Sequence, residues 1–214
     1  MPLVTSLEAE SRSGGVRLRI DGEPFATVAV GDVTSFRIRV GDALDPGTVA
    51  SLERCAELFA ARDVATRMLA ARALPSTEMV RRLIRRGHPR DVAQTAVDQL
   101  VASGLVNDAE FARHFARTRA RRRVGPVRLS RELQRFGIAS QDADVAVREA
   151  LEADGVDVSR LLGEAAARKM RSLAGKDPTA ARRSLRAYLL RQGFPAGDIA
   201  AFLRSNRVAQ GTAK

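Results

Sequence analysis

Met79-Val80-Arg81-Arg82-Leu83-Ile84-Arg85-Arg86-Gly87-His88-Pro89 is the stretch that decides how this chain folds. Pairs of apolar residues alternate with pairs of arginine, the pattern of an amphipathic helix, and a glycine followed by a proline stops it. A leucine four residues ahead of a glycine recurs in Glu132-Leu133-Gln134-Arg135-Phe136-Gly137-Ile138 and in Tyr188-Leu189-Leu190-Arg191-Gln192-Gly193-Phe194-Pro195. The copies are spaced by roughly 50 residues, and an internal repeat of that length predicts a modular helical array. Such arrays present an extended surface, which suits binding something long.

Helix starts arrive at short intervals around these segments. Ser76 is expected to cap a helix with Glu78 in its first turn, and Pro89 to follow a cap at His88. Asn107-Asp108-Ala109-Glu110 has the form of a capping box, Ser140 precedes Asp142, and Asp177-Pro178 offers a cap and a first-turn proline. Gly87, Gly104, Gly137, Gly155 and Gly193 fall where helices stop, because glycine enters the left-handed conformation at little cost. Val49 to Ala71 is helical in pattern and closes before Leu74-Pro75. Roughly nine helices are expected after residue 46, in three sets of three.

The beginning of the chain reads differently. Val16 to Ile20 alternates, Asp21-Gly22 gives a turn, Phe25 to Val30 resumes a β-like run, and Phe36 to Val40 alternates again before Asp45-Pro46-Gly47 ends the region. The expected fold is therefore mainly α, with tandem three-helix repeats in an elongated array and a small N-terminal β-ribbon. The expected boundaries are 1–45 for the ribbon, 46–104, 105–155 and 156–207 for the three repeats, and 208–214 for a flexible tail.

Composition narrows the function. The 214 residues are 45% apolar, enough for a core, and the net charge is +11. Residues 1 to 50 hold five basic and seven acidic side chains, so the positive excess lies wholly on the helical remainder. That segregation favours a polyanion or an acidic protein surface as partner. Cys55 is the only cysteine, which excludes an intrachain disulfide and a cysteine-based zinc site and fits a reducing compartment. No signal peptide pattern and no membrane-spanning apolar run is visible, so a cytoplasmic protein is expected.

Three arginine stripes are candidates for binding. Arg81, Arg82, Arg85 and Arg86 lie on the face opposite Met79, Val80, Leu83 and Ile84. Arg113, Arg117 and Arg121 are spaced by four, with Phe111, Phe115 and Ala116 behind them, and Arg119, Arg122, Arg123 and Arg128 extend this stripe around Val124-Gly125-Pro126. Arg182, Arg183 and Arg186 form a weaker third stripe. Guanidinium forks suit phosphate or carboxylate. Aromatics are only 4% of the chain, and Phe111, Phe115, Phe136, Phe194 and Phe202 fall at core-facing positions, which argues against base stacking. His88 and His114 lack partners at metal or triad spacing, and Gly175-Lys176-Asp177 lacks the spacing and hydroxyl of a nucleotide loop. Neither an enzyme nor a cofactor is indicated.

Leu69-Ala-Ala-Arg72, Ser76-Thr-Glu78, Leu83, Gly87, Gly104-Leu-Val-Asn-Asp108-Ala-Glu-Phe111-Ala112, Gly125 and Ser130-Arg-Glu-Leu133-Gln-Arg-Phe-Gly137-Ile138 together closely resemble the RecX family of recombinase regulators. The third repeat, with Arg191-Gln-Gly193-Phe194-Pro195 and Ile199, matches as well, so the resemblance runs from about residue 49 to 204. It implies a cytoplasmic, monomeric, non-enzymatic protein of three-helix repeats that binds the RecA recombinase filament and its single- or double-stranded DNA without sequence preference. It also implies suppression of ATP hydrolysis and strand exchange. The N-terminal ribbon resembles an extension found in some members only. The alternative is a stand-alone basic DNA-binding protein with helix-turn-helix-like repeats that acts without RecA.

Overall fold

The computed structural model describes residues 1–10, 14–120 and 124–211. They form two compact units, Met1–Asn107 and Asp108–Lys214.

The first unit begins with a three-stranded antiparallel sheet in the order β1 (Val4–Glu10), β2 (Gly15–Ile20), β3 (Glu23–Ala29). Alternation in β2 sends Val16, Leu18 and Ile20 to one face, where they join Val4, Val28, Ile38, Leu44 and Leu52 in a small core. Asp21 and Gly22 both take positive φ, the geometry of a two-residue hairpin turn. The sheet is larger than the expected ribbon because β1 carries little alternation, and its position follows from pairing with β2 rather than from its own pattern. Phe36 to Val40 is not a strand. A short helix α1 (Val30–Ser35) precedes it, and Arg37 takes a φ of 54°, which breaks an extended chain. Residues 41–44 instead hold the start of β1: Val4 N donates to Asp42 O at 2.9 Å and Gly41 N to Val4 O at 2.8 Å.

Helix α2 (Pro46–Ala71) starts at Asp45, whose carboxylate accepts from Gly47 N and Thr48 N at 2.8 and 3.0 Å. Asp45-Pro46-Gly47 thus opens this helix as well as ending the β region. The first half of α2 contributes Leu52 to the sheet core, and the second half sends Ala61, Ala65 and Met68 into a separate core with α3 (Ser76–Arg85) and α4 (Arg90–Ala102). Gly15 lets Phe59 of α2 lie directly on β2, since any side chain there would strike the ring. Cys55 sits half-buried on the same helix. Burial, followed by the charge of Asp32 and its hydrogen bond, pushes its thiol up, away from the reactive thiolate.

The second unit holds α5 (Asp108–Ala120), α6 (Pro126–Arg135), α7 (Ser140–Ala153), α8 (Val158–Arg171), α9 (Pro178–Gln192) and α10 (Ala196–Gly211). One core gathers residues of α5, α6 and α7 around Leu129, Leu133 and Val147, and another gathers α8, α9 and α10 around Leu162, Leu189 and Ile199. Nine helices therefore follow residue 45 among the described residues, each trio enclosing a core. Helix α10 continues to Gly211, past the expected onset of a tail at 208.

The repeated leucine and glycine prove to be one hydrogen-bonded closure. His88 N, Ile138 N and Phe194 N each donate to the leucine carbonyl five residues back, all at 3.2 Å, while Gly87, Gly137 and Gly193 have φ of 94°, 93° and 85°. The glycine amide bonds the carbonyl one residue beyond the leucine, so two otherwise orphaned carbonyls are satisfied at once. The same closure ends α4 at Leu100/Gly104 and α7 at Leu151/Gly155. Start signals were less faithful. Ser76 and Ser140 are the first helical residues rather than caps, and Pro89, not His88, precedes α4. Asp177 caps α9 as expected, accepting from Ala180 N at 2.8 Å.

Within the second unit, the start of α6 rests on the end of α9. Gly125 N donates to Gln192 O at 2.9 Å, and Val127 N, an orphan donor of the first turn of α6, donates to Gly193 O at 3.0 Å. A side-chain carbon on Gly125 would strike the Gly193 carbonyl, and one on Gly193 would strike Arg128. Gly125 has a φ of −71°, which alanine adopts freely, so its requirement is spatial. Gly125→Ala is expected to lower stability by about 1–3 kcal/mol through overpacking. Gly31→Ala on α1, with nothing within 4 Å, should be neutral or stabilising by a few tenths, roughly as for exposed glycines generally. Urea unfolding of the two variants checks the contrast, and equal effects would remove the steric explanation.

Candidate functional site

The first arginine face is carried by α3. Met79 and Leu83 are fully buried, Val80 and Ile84 half-buried, and Arg81, Arg85 and Arg86 exposed, as the helical pattern requires. Arg82 is only half-exposed because its Nε donates to Glu78 Oε1 at 2.7 Å, and Arg85 Nη2 reaches the same oxygen at 3.4 Å. One carboxylate, itself only 16% exposed, therefore holds two of the four guanidiniums. The Arg82 hydrogen bond holds the Glu78 carboxyl below its ordinary value, against a burial effect that raises it.

The second face belongs to α5 and α6. Arg113 and Arg117 are exposed on α5, and Arg117 Nε lies 3.9 Å from Asp154 Oδ1 at the end of α7. Arg121, Arg122 and Arg123 lie outside the described residues. Arg128 on α6 donates from Nε to Glu132 Oε1 at 3.1 Å, while Arg119 Nη1 lies 3.5 Å from Glu132 Oε2. The guanidinium of Arg119 also covers the Phe115 ring at 5.2 Å. Phe136 packs edge-on against Phe115 and Phe111 at 5.5 and 5.6 Å, and the Phe111 and Phe115 rings pack against the core rather than standing free for a base. Sequence spacing grouped Arg119 with this stripe but gave no sign of its convergence with Arg128 on Glu132, because Glu132 lies on another helix from Arg119.

The third stripe divides. All three are exposed, but Arg182 Nη1 donates to the Leu203 carbonyl at 3.1 Å and ties α9 to α10, while Arg183 and Arg186 remain on the surface. Charge is also unevenly shared between the units. The second holds 22 basic and 12 acidic residues, +10 of the chain's +11, whereas the first is nearly neutral. Among the described residues no group of three or more His, Cys, Asp or Glu could hold a metal, and no helix is long and apolar enough to cross a membrane. What the surface offers chemically is a set of planar, permanently charged donors matched to oxyanions.

The fold and these faces define a class, a protein of tandem three-helix domains with exposed guanidiniums on successive domains. Residues 61–100 match the family model described as RecX, first three-helix domain, and residues 107–147 that described as RecX, second three-helix domain. The chain is 35% identical over 144 residues to the regulatory protein RecX of Halorhodospira halophila, a match spanning 66% of this chain and 85% of that one. It is 38% identical over 133 residues to the regulatory protein RecX of Chromohalobacter salexigens, spanning 62% and 84%. A crystal structure of regulatory protein RecX superposes on 92% of this chain and 97% of its own, with a TM-score of 0.78 at 20% identity. The structure of RecX from Lactobacillus salivarius covers 71% and 97%, with a TM-score of 0.58 at 17% identity. The chain belongs to the RecX family.

The Glu78 cluster makes a pH prediction. A carboxyl held below its usual 4.5 in the folded state stabilises fully above that value, and the contribution is lost as pH falls through the lower folded value. Glu78→Gln should therefore be less stable than the parent near neutrality and converge with it as pH falls through the lowered folded value. Urea midpoints against pH measure this, and a constant difference at all pH values would sink the assignment.

Proposed function

We propose that this chain is a non-enzymatic regulator of the RecA recombinase filament, which it inhibits by binding the filament and its DNA. Membership of a family whose curated members are named regulatory proteins carries the reading. The concentration of positive charge in the second unit supports it, since a nucleoprotein filament is a polyanion with a long, repetitive surface. The proposed contacts are Arg81, Arg82, Arg85 and Arg86 on α3 and Arg113, Arg117, Arg121, Arg122, Arg123 and Arg128 in the second unit. Arg82, Arg85, Arg117 and Arg128 already have carboxylate neighbours, whereas Arg86 and Arg113 are exposed with none among the described residues, so these two contribute charge at smaller desolvation cost. Three tandem repeats, bounded near residues 104 and 155, would allow one monomer to touch several sites along a filament, where linked weak contacts add to strong avidity.

The test is the single-stranded-DNA-dependent ATPase of RecA, titrated with this protein and with the Arg113→Gln/Arg117→Gln variant. Inhibition at stoichiometry well below DNA saturation, weakened about tenfold or more in the variant, is expected, on the scale of two or so lost charge-assisted contacts. Inhibition that excess DNA abolishes would instead support a stand-alone DNA binder acting by sequestration.

A further inference from the structure

We infer that Arg119 and Arg128 form a phosphodiester subsite whose affinity is held down by Glu132, a carboxylate of the chain itself that sits where a backbone phosphate binds. The inference rests on the DNA-facing reading of the second unit. Its geometry is specific. Arg119 comes from the end of α5 and Arg128 from the first turn of α6, and Glu132 joins them with one oxygen to each. Glu132 is 18% exposed, whereas Arg119 and Arg128 are 37% and 47% exposed, so the carboxylate lies beneath and the guanidiniums stay open to solvent. Among the described residues Arg128 uses Nε and Arg119 a single Nη for Glu132, which leaves their remaining N–H donors for an incoming oxyanion.

The Arg119 guanidinium and the Arg128 backbone are each held in place, so the fork is partly formed before a ligand arrives. Arg119 is plated on Phe115, and the backbone of Arg128 is pressed against Gly193 at the contact between α6 and α9. The arrangement also recurs. Glu78 lies between Arg82 and Arg85 in the first unit, yet with a 50-residue offset Glu78 corresponds to Arg128 and Arg82 to Glu132, so acid and base have exchanged places along the helix. A carboxylate between two guanidiniums thus persists while its helical position does not. An ordinary exposed i, i+4 pair needs no third member and contributes little to stability. Phosphodiester, rather than a protein carboxylate, is the favoured occupant because this unit carries ten of the eleven excess charges, a density that a polyanion offsets.

Glu132→Gln keeps the side chain's length and an acceptor oxygen while removing its charge. In the full chain, binding of a thymine oligodeoxynucleotide is expected to tighten roughly two- to fivefold at low salt, the scale of one exposed charge interaction. The slope of log affinity against log salt should steepen by up to about one counterion. Arg119→Gln alone should weaken binding, and adding it to Glu132→Gln should erase the gain. Unchanged or weaker binding by Glu132→Gln, or a gain that survives loss of Arg119, overturns the subsite. Tightening confined to a polyglutamate probe also overturns it, in favour of an acidic protein surface. Wild-type inhibition of the recombinase ATPase, measured alongside, separates the two readings. Inhibition without the Glu132→Gln gain removes the subsite and leaves regulation standing, and the gain without inhibition does the opposite.

Discussion

A helix can be ended only if its last carbonyls find donors, and among the described residues five helices meet that requirement in the same way. A buried leucine supplies both a side chain to the core and a carbonyl to the residue after a left-handed glycine. Leu83, Leu100, Leu133, Leu151 and Leu189 are each no more than 6% exposed, so the position that turns the chain also anchors it. Coupling the turn to the core lets short helices reverse direction without burying an unsatisfied carbonyl, an omission that costs about 1–3 kcal/mol per group. The five helices that end this way are 10 to 15 residues long and only marginally stable in isolation, so the cores they help enclose depend on it.

Because the interior is filled by alanine and leucine, the outward faces are free to be charged. Arginine supplies nearly all of that charge, and it is not left unopposed. Glu78, Glu132 and Asp154 are placed against guanidiniums within reach, which limits repulsion among like charges while leaving the second unit strongly positive. A surface arranged this way can stay folded in the absence of a partner and still attract an extended anion over a distance that falls with ionic strength.

The helical pattern made the α architecture legible because its signals are local. Alternating apolar and arginine pairs fixed the buried and exposed faces of α3, and the glycines fixed the helix ends. Two closures of the same kind, at Leu100/Gly104 and Leu151/Gly155, share the spacing but lack the flanking arginine pattern, so the repeat stood out only three times. Helix starts were read one residue off at Ser76 and Ser140, since serine serves in the first turn as well as at the cap. Strand β1 and the break at Arg37 were invisible, because pairing with β2 and the bonds from residues 41–44 decide them.

The sequence by itself determined the helix faces, the stops, the three-helix grouping and the family, all of which rest on residues within a few positions of one another or on patterns repeated along the chain. The tertiary structure decided which arginines share a carboxylate, that Arg182 is a structural tie to Leu203, and that Gly125 must be glycine because the backbone of Gly193 lies against it. Those outcomes depend on groups from different helices meeting in space, and periodicity along one helix carries no information about which neighbour it will face.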